Sequence, residues 1–268
     1  MLLVIDVGNT NTVLGIFDRE KLVESWRIGT TVERTTDEYG IMLKELLVFS
    51  KVRRQDIDGM VISSVVPPLR ASLEGLGKKY LNVEPLIVEP GVRTGLSIHM
   101  DNPREVGADR IVNAVAGWNK YHTSLIIIDL GTATTFDFVS SSAVYEGGII
   151  APGLGISAEA LFREASKLPR VELLLPKTVI GKNTISAMQS GIINGYAGLI
   201  DAIVLKMKKE IKELYPSEPV PKVIATGGLV PIIAPVAKTI EEVNMDLTLD
   251  GLRIIYELNQ QEKPGAKS

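Results

Sequence analysis

Residues 125–135 read Leu-Ile-Ile-Ile-Asp-Leu-Gly-Thr-Ala-Thr-Thr. The first four residues are apolar and three of them are β-branched, which is typical of a strand that is buried on both faces. The run ends at Asp129, and Gly131 then allows the backbone to bend sharply and to approach a ligand closely. Backbone N–H groups and threonine hydroxyls in such a turn suit a phosphate, and the carboxylate suits a cation. A single copy of the pattern is equally typical of an ordinary hairpin turn.

The same pattern occurs near the N-terminus, where residues 2–12 read Leu-Leu-Val-Ile-Asp-Val-Gly-Asn-Thr-Asn-Thr. At a constant offset of 123 residues, three positions of the two copies match: Asp6 with Asp129, Gly8 with Gly131 and Thr12 with Thr135. A repeat at a little under half the chain length predicts two similar α/β halves that face each other across a cleft, residues 1–123 and 124–268. The two turns would then approach one nucleotide from opposite sides.

The composition excludes several kinds of protein. The 268 residues suffice for one large domain or two small ones, and the lack of cysteine excludes disulfides and thiolate metal sites. Only His99 and His122 are present, which disfavours a multi-histidine zinc site. The net charge is −3 without a basic stripe, and no apolar run is long enough to span a membrane. We therefore predict a cytoplasmic protein with neither a nucleic-acid nor a membrane partner.

Hydrophobic patterning predicts alternating strands and helices in both halves. The first half is expected to have strands at 2–5, 12–17, 22–28, 60–66 and 85–88, helices at about 35–50, 69–80 and 105–121, and a loop over 89–104. The second is expected to have strands at 125–129, 134–139, 143–146 and 223–226, a glycine-rich turn at 147–153, helices at 156–167, 185–215 and 250–260, and a loose tail at 261–268. Thr35 followed by Glu38 predicts a capping box at the first helix.

Two further motifs are ambiguous on their residues alone. The run from Gly153 to Ala158 fits a dinucleotide fingerprint, but Pro152 precedes it and no strand ending in an acid follows at the expected distance, so a dinucleotide site is disfavoured. Asp109 and Arg110 lie near the start of a predicted helix, whose N-terminus would stabilise the carboxylate. Arg110 could bind a carboxylate or phosphate with two hydrogen bonds, although on spacing alone a surface ion pair is the simpler interpretation.

Together the motifs resemble those of the type III pantothenate kinases. They occur in that family's order over nearly the whole chain: residues 6–12, Asn102-Pro103 with Gly107-Ala108-Asp109-Arg110, residues 129–135, and Gly147-Gly148-Ile-Ile-Ala-Pro-Gly153. The resemblance implies the duplicated α/β fold shared by acetate and sugar kinases, heat-shock chaperones and actin. It also implies ATP-dependent phosphorylation of pantothenate to 4′-phosphopantothenate, the first step of coenzyme A biosynthesis.

The resemblance further implies roles for individual residues. Asp109 is expected to be the general base, and pantothenate to be held by Gly107, Ala108, Asp109, Arg110 and Thr184. ATP and Mg²⁺ are expected to bind at the first turn, to Asp6, Val7, Gly8, Asn9, Thr10, Asn11, Thr12 and Val13. Thr132 is expected to be a further ATP contact. Asp129 is expected to bind K⁺ or NH₄⁺, and Thr226-Gly227-Gly228 resembles the adenosine turn of the superfamily. Met100 departs from the family pattern, which often has a tyrosine there near the substrate.

The long helix predicted at 185–215 bears on assembly. Its apolar stripe is expected to comprise Ile185, Met188, Ile192, Tyr196, Leu199 and Ile203. Gly191, Gly195 and Gly198 would allow another helix to pack closely, and the resembled family is dimeric, so a homodimer is expected. Two alternatives to the pantothenate kinase remain at this stage: a kinase for another small hydroxy acid, and a transcription accessory factor.

Overall fold

The computed structural model describes residues 1–260, so the predicted tail at 261–268 lies outside the described residues. The chain forms two compact units, neither of them continuous in sequence. Unit 1 comprises Met1–Leu96, Asp101–Ala116 and the chain from Leu247 onward, and unit 2 comprises Ser97–Met100 and Gly117–Asp246. The units differ from the predicted halves mainly because the last helix packs with the N-terminal sheet. The division into halves at residue 123 stays a prediction.

Unit 1 contains a five-stranded sheet of order β3-β2-β1-β4-β5. Its strands are β1 Leu2–Val7, β2 Asn11–Asp18, β3 Lys21–Gly29, β4 Gly59–Ser64 and β5 Leu86–Ile87. Strands β1 to β3 form an antiparallel meander, whereas β1, β4 and β5 are parallel. β1 therefore lies at the centre, between one antiparallel and one parallel neighbour, and its first four residues are buried as the apolar run predicts.

Unit 2 contains a six-stranded sheet of order β11-β10-β7-β8-β9-β6. Its strands are β6 Ser97–Ile98, β7 Leu125–Leu130, β8 Ala133–Val139, β9 Val144–Pro152, β10 Lys222–Thr226 and β11 Glu242–Val243. Apart from the edge strand β6, this sheet repeats the order and strand directions of the first sheet, with β7 in the place of β1. The predicted duplicated, actin-like α/β fold is thereby confirmed.

Seven α-helices lie in the described residues 1–260. They are α1 Thr36–Phe49, α2 Arg70–Gly75, α3 Ala108–Tyr121, α4 Leu154–Glu164, α5 Thr184–Leu214, α6 Val230–Ile233 and α7 Leu247–Gln260. The predicted capping box opens α1: the Glu38 N–H donates to Thr35 Oγ1 at 3.3 Å, and the Thr35 N–H donates to the Glu38 carboxylate at 2.7 Å. No helix within the described range combines the length and apolar character that crossing a bilayer would require.

Each unit has its own hydrophobic core. In unit 1, buried side chains of β1, β2 and β4 pack against α1 and α2, and α7 contacts β1 and β4. In unit 2, side chains of β7, β8 and β10 pack against α4, α5 and α6. Burial of these apolar faces is what stabilises the central strands on which the two turns lie.

The glycine-rich turn predicted at 147–153 is wrong. These residues continue β9 as far as Pro152, because they pair with β8 along its whole length. Gly147 has φ +122° and lies at the irregularity in that pairing, so its glycine permits a bulge within a strand. The local sequence is typical of a turn, but the cross-strand hydrogen bonds decide the conformation.

Other boundaries also differ from the sequence predictions. The loop expected over 89–104 contains the edge strand β6 and a 3₁₀ turn at Pro103–Glu105, so α3 begins at Ala108. The helix expected over 69–80 is α2 followed by a π-helix at Leu76–Leu81. Two short elements, α6 and β11, were not predicted, since four and two residues carry too little periodicity.

The predicted apolar stripe of α5 is only partly correct. Ile185 is 51% exposed, and the buried face is centred on Ile193, Ala197, Ile200 and Val204. The three glycines predicted to allow close packing are open: among the described residues, no atom lies within 4 Å of the Cβ positions of Gly191, Gly195 and Gly198, apart from the helix's own backbone. The small-residue face of α5 is therefore not covered by the described part of this chain.

Candidate active site

The first phosphate-type turn joins β1 to β2. The Gly8 N–H donates to the Asn11 carbonyl at 2.9 Å, which closes a tight turn between the strands. Asp6 is half-buried just before it and lies opposite Val13 on β2 and Ser63 on β4. The turn therefore leaves a carboxylate at the end of a buried strand, as the sequence predicts.

Thr12 and Thr30 fix this turn from the side. Thr12 is fully buried, with its hydroxyl 2.9 Å from that of Thr30. The Thr30 hydroxyl donates to the Gly8 carbonyl at 2.7 Å, and the Thr30 N–H donates to the Thr10 carbonyl at 3.0 Å. These contacts hold the backbone of the turn in one geometry before any ligand binds.

The second turn joins β7 to β8 and is one residue shorter. The Gly131 N–H donates to the Ala133 carbonyl at 3.1 Å. Thr134 lies opposite Leu130, in the place where Thr12 lies opposite Val7 in the first sheet. The structural counterpart of Thr12 is therefore Thr134. The predicted match with Thr135 is wrong, because a constant sequence offset does not account for the shorter second turn.

Glycines allow the surrounding backbone to approach the second turn. Gly227 has φ +102°, and a Cβ there would lie 2.5 Å from Asp129 Oδ1 and 2.6 Å from the Leu130 nitrogen. A Cβ on Gly153 would overlap the carbonyl oxygen of Thr132. Gly153 is also the N-cap of α4, so the start of that helix is pressed directly against the turn.

Asp109 lies at the start of α3, where the Arg110 N–H donates to its Oδ1 at 2.8 Å. Burial raises the pKa of Asp109, and the hydrogen bond from Arg110 offsets part of this effect. The predicted stabilisation of the charged form by the helix terminus is thus outweighed by desolvation. A Cβ at Gly107 would lie 2.5 Å from Asp109 Oδ1, so this glycine makes room for the carboxylate. A half-buried carboxylate with a raised pKa is suited to accept a proton.

The predicted site residues fall in both units. Unit 1 carries residues 6–13 and 107–110, while unit 2 carries Asp129, Thr132 and Thr184. Thr184 is the exposed first residue of α5 and lines a cavity of about 700 Å³ together with residues of α4, α5 and the segment between them: Leu161, Leu168, Lys182, Met188 and Gly191.

Side chains alone offer little to a divalent metal ion. Within residues 1–260, no three His, Asp or Glu side chains are grouped so that they could hold one. This fits a Mg²⁺ ion that is bound chiefly by nucleotide phosphates and water, with one or two carboxylates from the protein. Asp6 has the position and chemistry for such a contribution, because it is half-buried beside the first turn.

Two contributors to the second turn are absent from the sequence predictions: Gly153 as a packing contact with Thr132, and Tyr196 as a hydrogen-bond partner of Thr134. The Tyr196 hydroxyl is bonded to Thr134 from 62 positions away along the chain. Tyr196 was assigned to the apolar stripe of α5, and a hydroxyl within such a stripe was the one available signal that it has a polar partner.

Known structures with the same fold place the chain in a broad class. A candidate Baf-family transcriptional activator from Campylobacter jejuni aligns at 16% identity with a TM-score of 0.59, over 97% of this chain and 99% of its own. A candidate N-acetylmannosamine kinase from Listeria monocytogenes aligns at 11% identity with a TM-score of 0.51, over 98% and 99%. At such identities the likeness concerns the fold alone.

Sequence relatives define the family within that class. The family model for type III pantothenate kinases matches residues 2–206. Proteins named type III pantothenate kinase from Geobacter sulfurreducens and Exiguobacterium are 58% and 55% identical, over 97% of this chain and 100% of their own. The chain belongs to the type III pantothenate kinase family. Neither alternative, a transcription accessory factor or a kinase for another hydroxy acid, is favoured by these relatives.

Replacement of Gly153 by alanine tests the packing against the second turn. We expect Gly153→Ala to lower the free energy of unfolding by about 1–3 kcal/mol, because the new methyl group overlaps the Thr132 backbone. Gly155→Ala is the control, since its Cβ position is open and lies in the same helix. It should stabilise the protein by about 0.5–1 kcal/mol. Equal stabilities of the two variants in urea unfolding would contradict the packing.

Proposed function

We propose that this protein transfers the γ-phosphoryl group of ATP to the hydroxyl of pantothenate and so forms 4′-phosphopantothenate at the start of coenzyme A biosynthesis. The observation that carries the proposal is the 55–58% identity to type III pantothenate kinases over almost the whole chain. The half-buried Asp109, whose pKa is raised, and the two glycine-containing turns would supply groups that the reaction needs.

The two turns suit the triphosphate of ATP. Phosphoryl transfer requires mainly positioning and stabilisation of negative charge, and preorganised backbone N–H groups provide both. The first turn would contact the phosphates through the residues from Asp6 to Val13, and Thr132 would contact ATP from the second. Bound Mg²⁺ would neutralise charge on the phosphate oxygens, and Asp6 is the carboxylate placed to share it.

The acceptor would be held at the start of α3. Arg110 would bind the carboxylate of pantothenate, Gly107 and Ala108 would contact it through the backbone, and Thr184 would contribute a hydroxyl. Asp109 would accept the proton of the attacking hydroxyl as its oxygen bonds to phosphorus, while ADP leaves. A base with a raised pKa matches the operating pH better than an ordinary aspartate.

Asparagine at position 109 tests the proposed base. Asp109→Asn keeps the shape of the side chain but cannot take the proton, so kcat should fall by about 10²–10⁴ while the affinity for ATP stays near that of the wild type. The fall in wild-type kcat/KM at acidic pH should lie above the usual aspartate range, because burial raises the pKa and the base must be ionised.

Asp246→Asn is the matched control, since Asp246 is exposed. It should leave kcat within twofold. A kcat for Asp109→Asn within about threefold of the wild type would remove Asp109 from the mechanism. A coupled ADP-release assay across small hydroxy acids would test whether pantothenate is the preferred acceptor.

Asp129 is the proposed ligand of a monovalent cation, K⁺ or NH₄⁺. A side chain at Gly227 would collide with its carboxylate, so the glycine is what gives the carboxylate room. Such an ion would add positive charge near the phosphates, where the second turn is expected to bind them.

Exchange of the monovalent ion tests this site. The wild type should be activated by K⁺ relative to Na⁺, and K⁺ should raise its melting temperature, since an ion that binds only the folded state stabilises it. Asp129→Ala should lose both effects. Equal wild-type activity and melting temperature in the two salts would refute the cation site.

A homodimer is the proposed assembly, with the open face of α5 as its interface. Gly191, Gly195 and Gly198 are followed on the same face by Ala202 and by Leu205, which is 60% exposed. Small and apolar residues repeated at this spacing let two helices approach closely. The cytoplasmic location and the lack of nucleic-acid and membrane partners remain predictions.

Light scattering at micromolar concentration tests the assembly. The wild type should have the mass of a dimer, and Gly195→Leu should shift it towards the monomer because the added side chain would separate the helices. Ser217→Leu adds a leucine on an exposed loop and should remain dimeric. A fully active wild-type monomer would overturn the proposed dimer.

A further inference from the structure

Tyr196 lies where several parts of unit 2 meet. It projects from α5 and is only 7% exposed. Its hydroxyl is bonded to Thr134 Oγ1 at 2.8 Å and also to the carbonyl oxygen of Pro152. Because burial raises its pKa, the phenol stays neutral and keeps its proton for hydrogen bonding. One hydroxyl group thus connects α5 with both strands β8 and β9.

The two partners of Tyr196 flank the second turn. Thr134 is the residue that follows it, and Pro152 lies opposite Ala133, whose carbonyl accepts the hydrogen bond that closes the turn. Pro152 is also followed by Gly153, whose missing side chain lets it rest against Thr132. The Tyr196 hydroxyl therefore joins the two backbone segments that define the shape of the turn.

The first turn has an equivalent restraint built from different residues. Thr12 occupies the position of Thr134 and is likewise fully buried, and its hydroxyl is bonded to that of Thr30, which follows β3. The threonine after the turn is thus held by a hydroxyl in both sheets, although the partner differs. The recurrence of a hydroxyl contact at this position indicates that the restraint serves the turn itself and not only local packing.

We propose that Tyr196 is a positioning residue for nucleotide binding, which fixes the second turn through Thr134 and Pro152 so that its N–H groups meet the phosphates in a preformed arrangement. This rests on the proposed ATP-binding role of that turn. Donors that are already oriented bind and stabilise developing charge without reorganisation. Loss of the hydroxyl should therefore weaken the binding of the nucleotide and leave the pantothenate site unaffected.

Calorimetry with a non-hydrolysable ATP analogue and Mg²⁺ tests the proposal. Tyr196→Phe removes only the hydroxyl and should weaken analogue binding about tenfold, raise the KM for ATP similarly, and leave the KM for pantothenate within twofold. Tyr256→Phe is the matched control: Tyr256 is half-buried on α7, and its hydroxyl lies against Gly59 on β4. Its nucleotide affinity should stay within twofold of the wild type.

Variants of Thr134 test the same contact from the other side. Thr134→Val should reproduce the loss, Thr134→Ser should retain most of the affinity, and the double variant Tyr196→Phe/Thr134→Val should be no weaker than either single one. An unchanged nucleotide affinity in Tyr196→Phe and Thr134→Val, whatever their melting temperatures, would overturn the proposal. A wild type that binds the analogue but does not phosphorylate pantothenate would refute the proposed function alone, while the calorimetry would still decide the role of Tyr196.

Discussion

The structure depends on a carboxylate at the end of a strand that is otherwise buried on both faces. β1 and β7 have the same burial along their six residues, with four buried positions followed by a half-buried aspartate and another buried residue. Burying an ionised carboxylate deeper in the sheet without a partner would cost too much desolvation free energy. The aspartate must therefore lie near the end of the strand, where the strand leaves the hydrophobic core. The hairpin turn begins at that same point, which brings charge and backbone N–H groups together in each unit.

Duplication provides a comparison inside one molecule. The two sheets share strand order, strand directions and a glycine-initiated turn. The second turn is one residue shorter, and its threonine is held by a tyrosine from α5 instead of by Thr30. The second unit also surrounds its turn with Gly153 and Gly227, each of which replaces a side chain by backbone contact. What the two copies retain is the strand order, the aspartate before the turn and the glycine that begins it, whereas the length of the turn and the residues around it differ.

The sequence was sufficient wherever the determining interactions are local. The Thr35–Glu38 capping box, the apolar runs of β1 and β7, and the long helix α5 follow from residues that are neighbours in the chain. The sequence was not sufficient where pairing between distant residues decides the conformation. Residues 147–152 form a strand because β8 pairs with them, although they begin with two glycines and show neither a helical nor a strand-like hydrophobic period. For the site, the motifs located Asp109, but the raised pKa results from burial in the folded chain and could not be read from spacing.

The burial of Asp109 has a consequence for the stability of the fold. Its pKa is higher in the folded protein than in the unfolded chain, so the folded state favours the protonated carboxyl. The resulting contribution to stability is complete below the unfolded pKa and is lost as the pH rises through the folded value. Above that range the desolvated carboxylate therefore opposes folding, and the apolar core of the unit must compensate for it. A neutral side chain of the same shape at this position would not carry this pH-dependent cost.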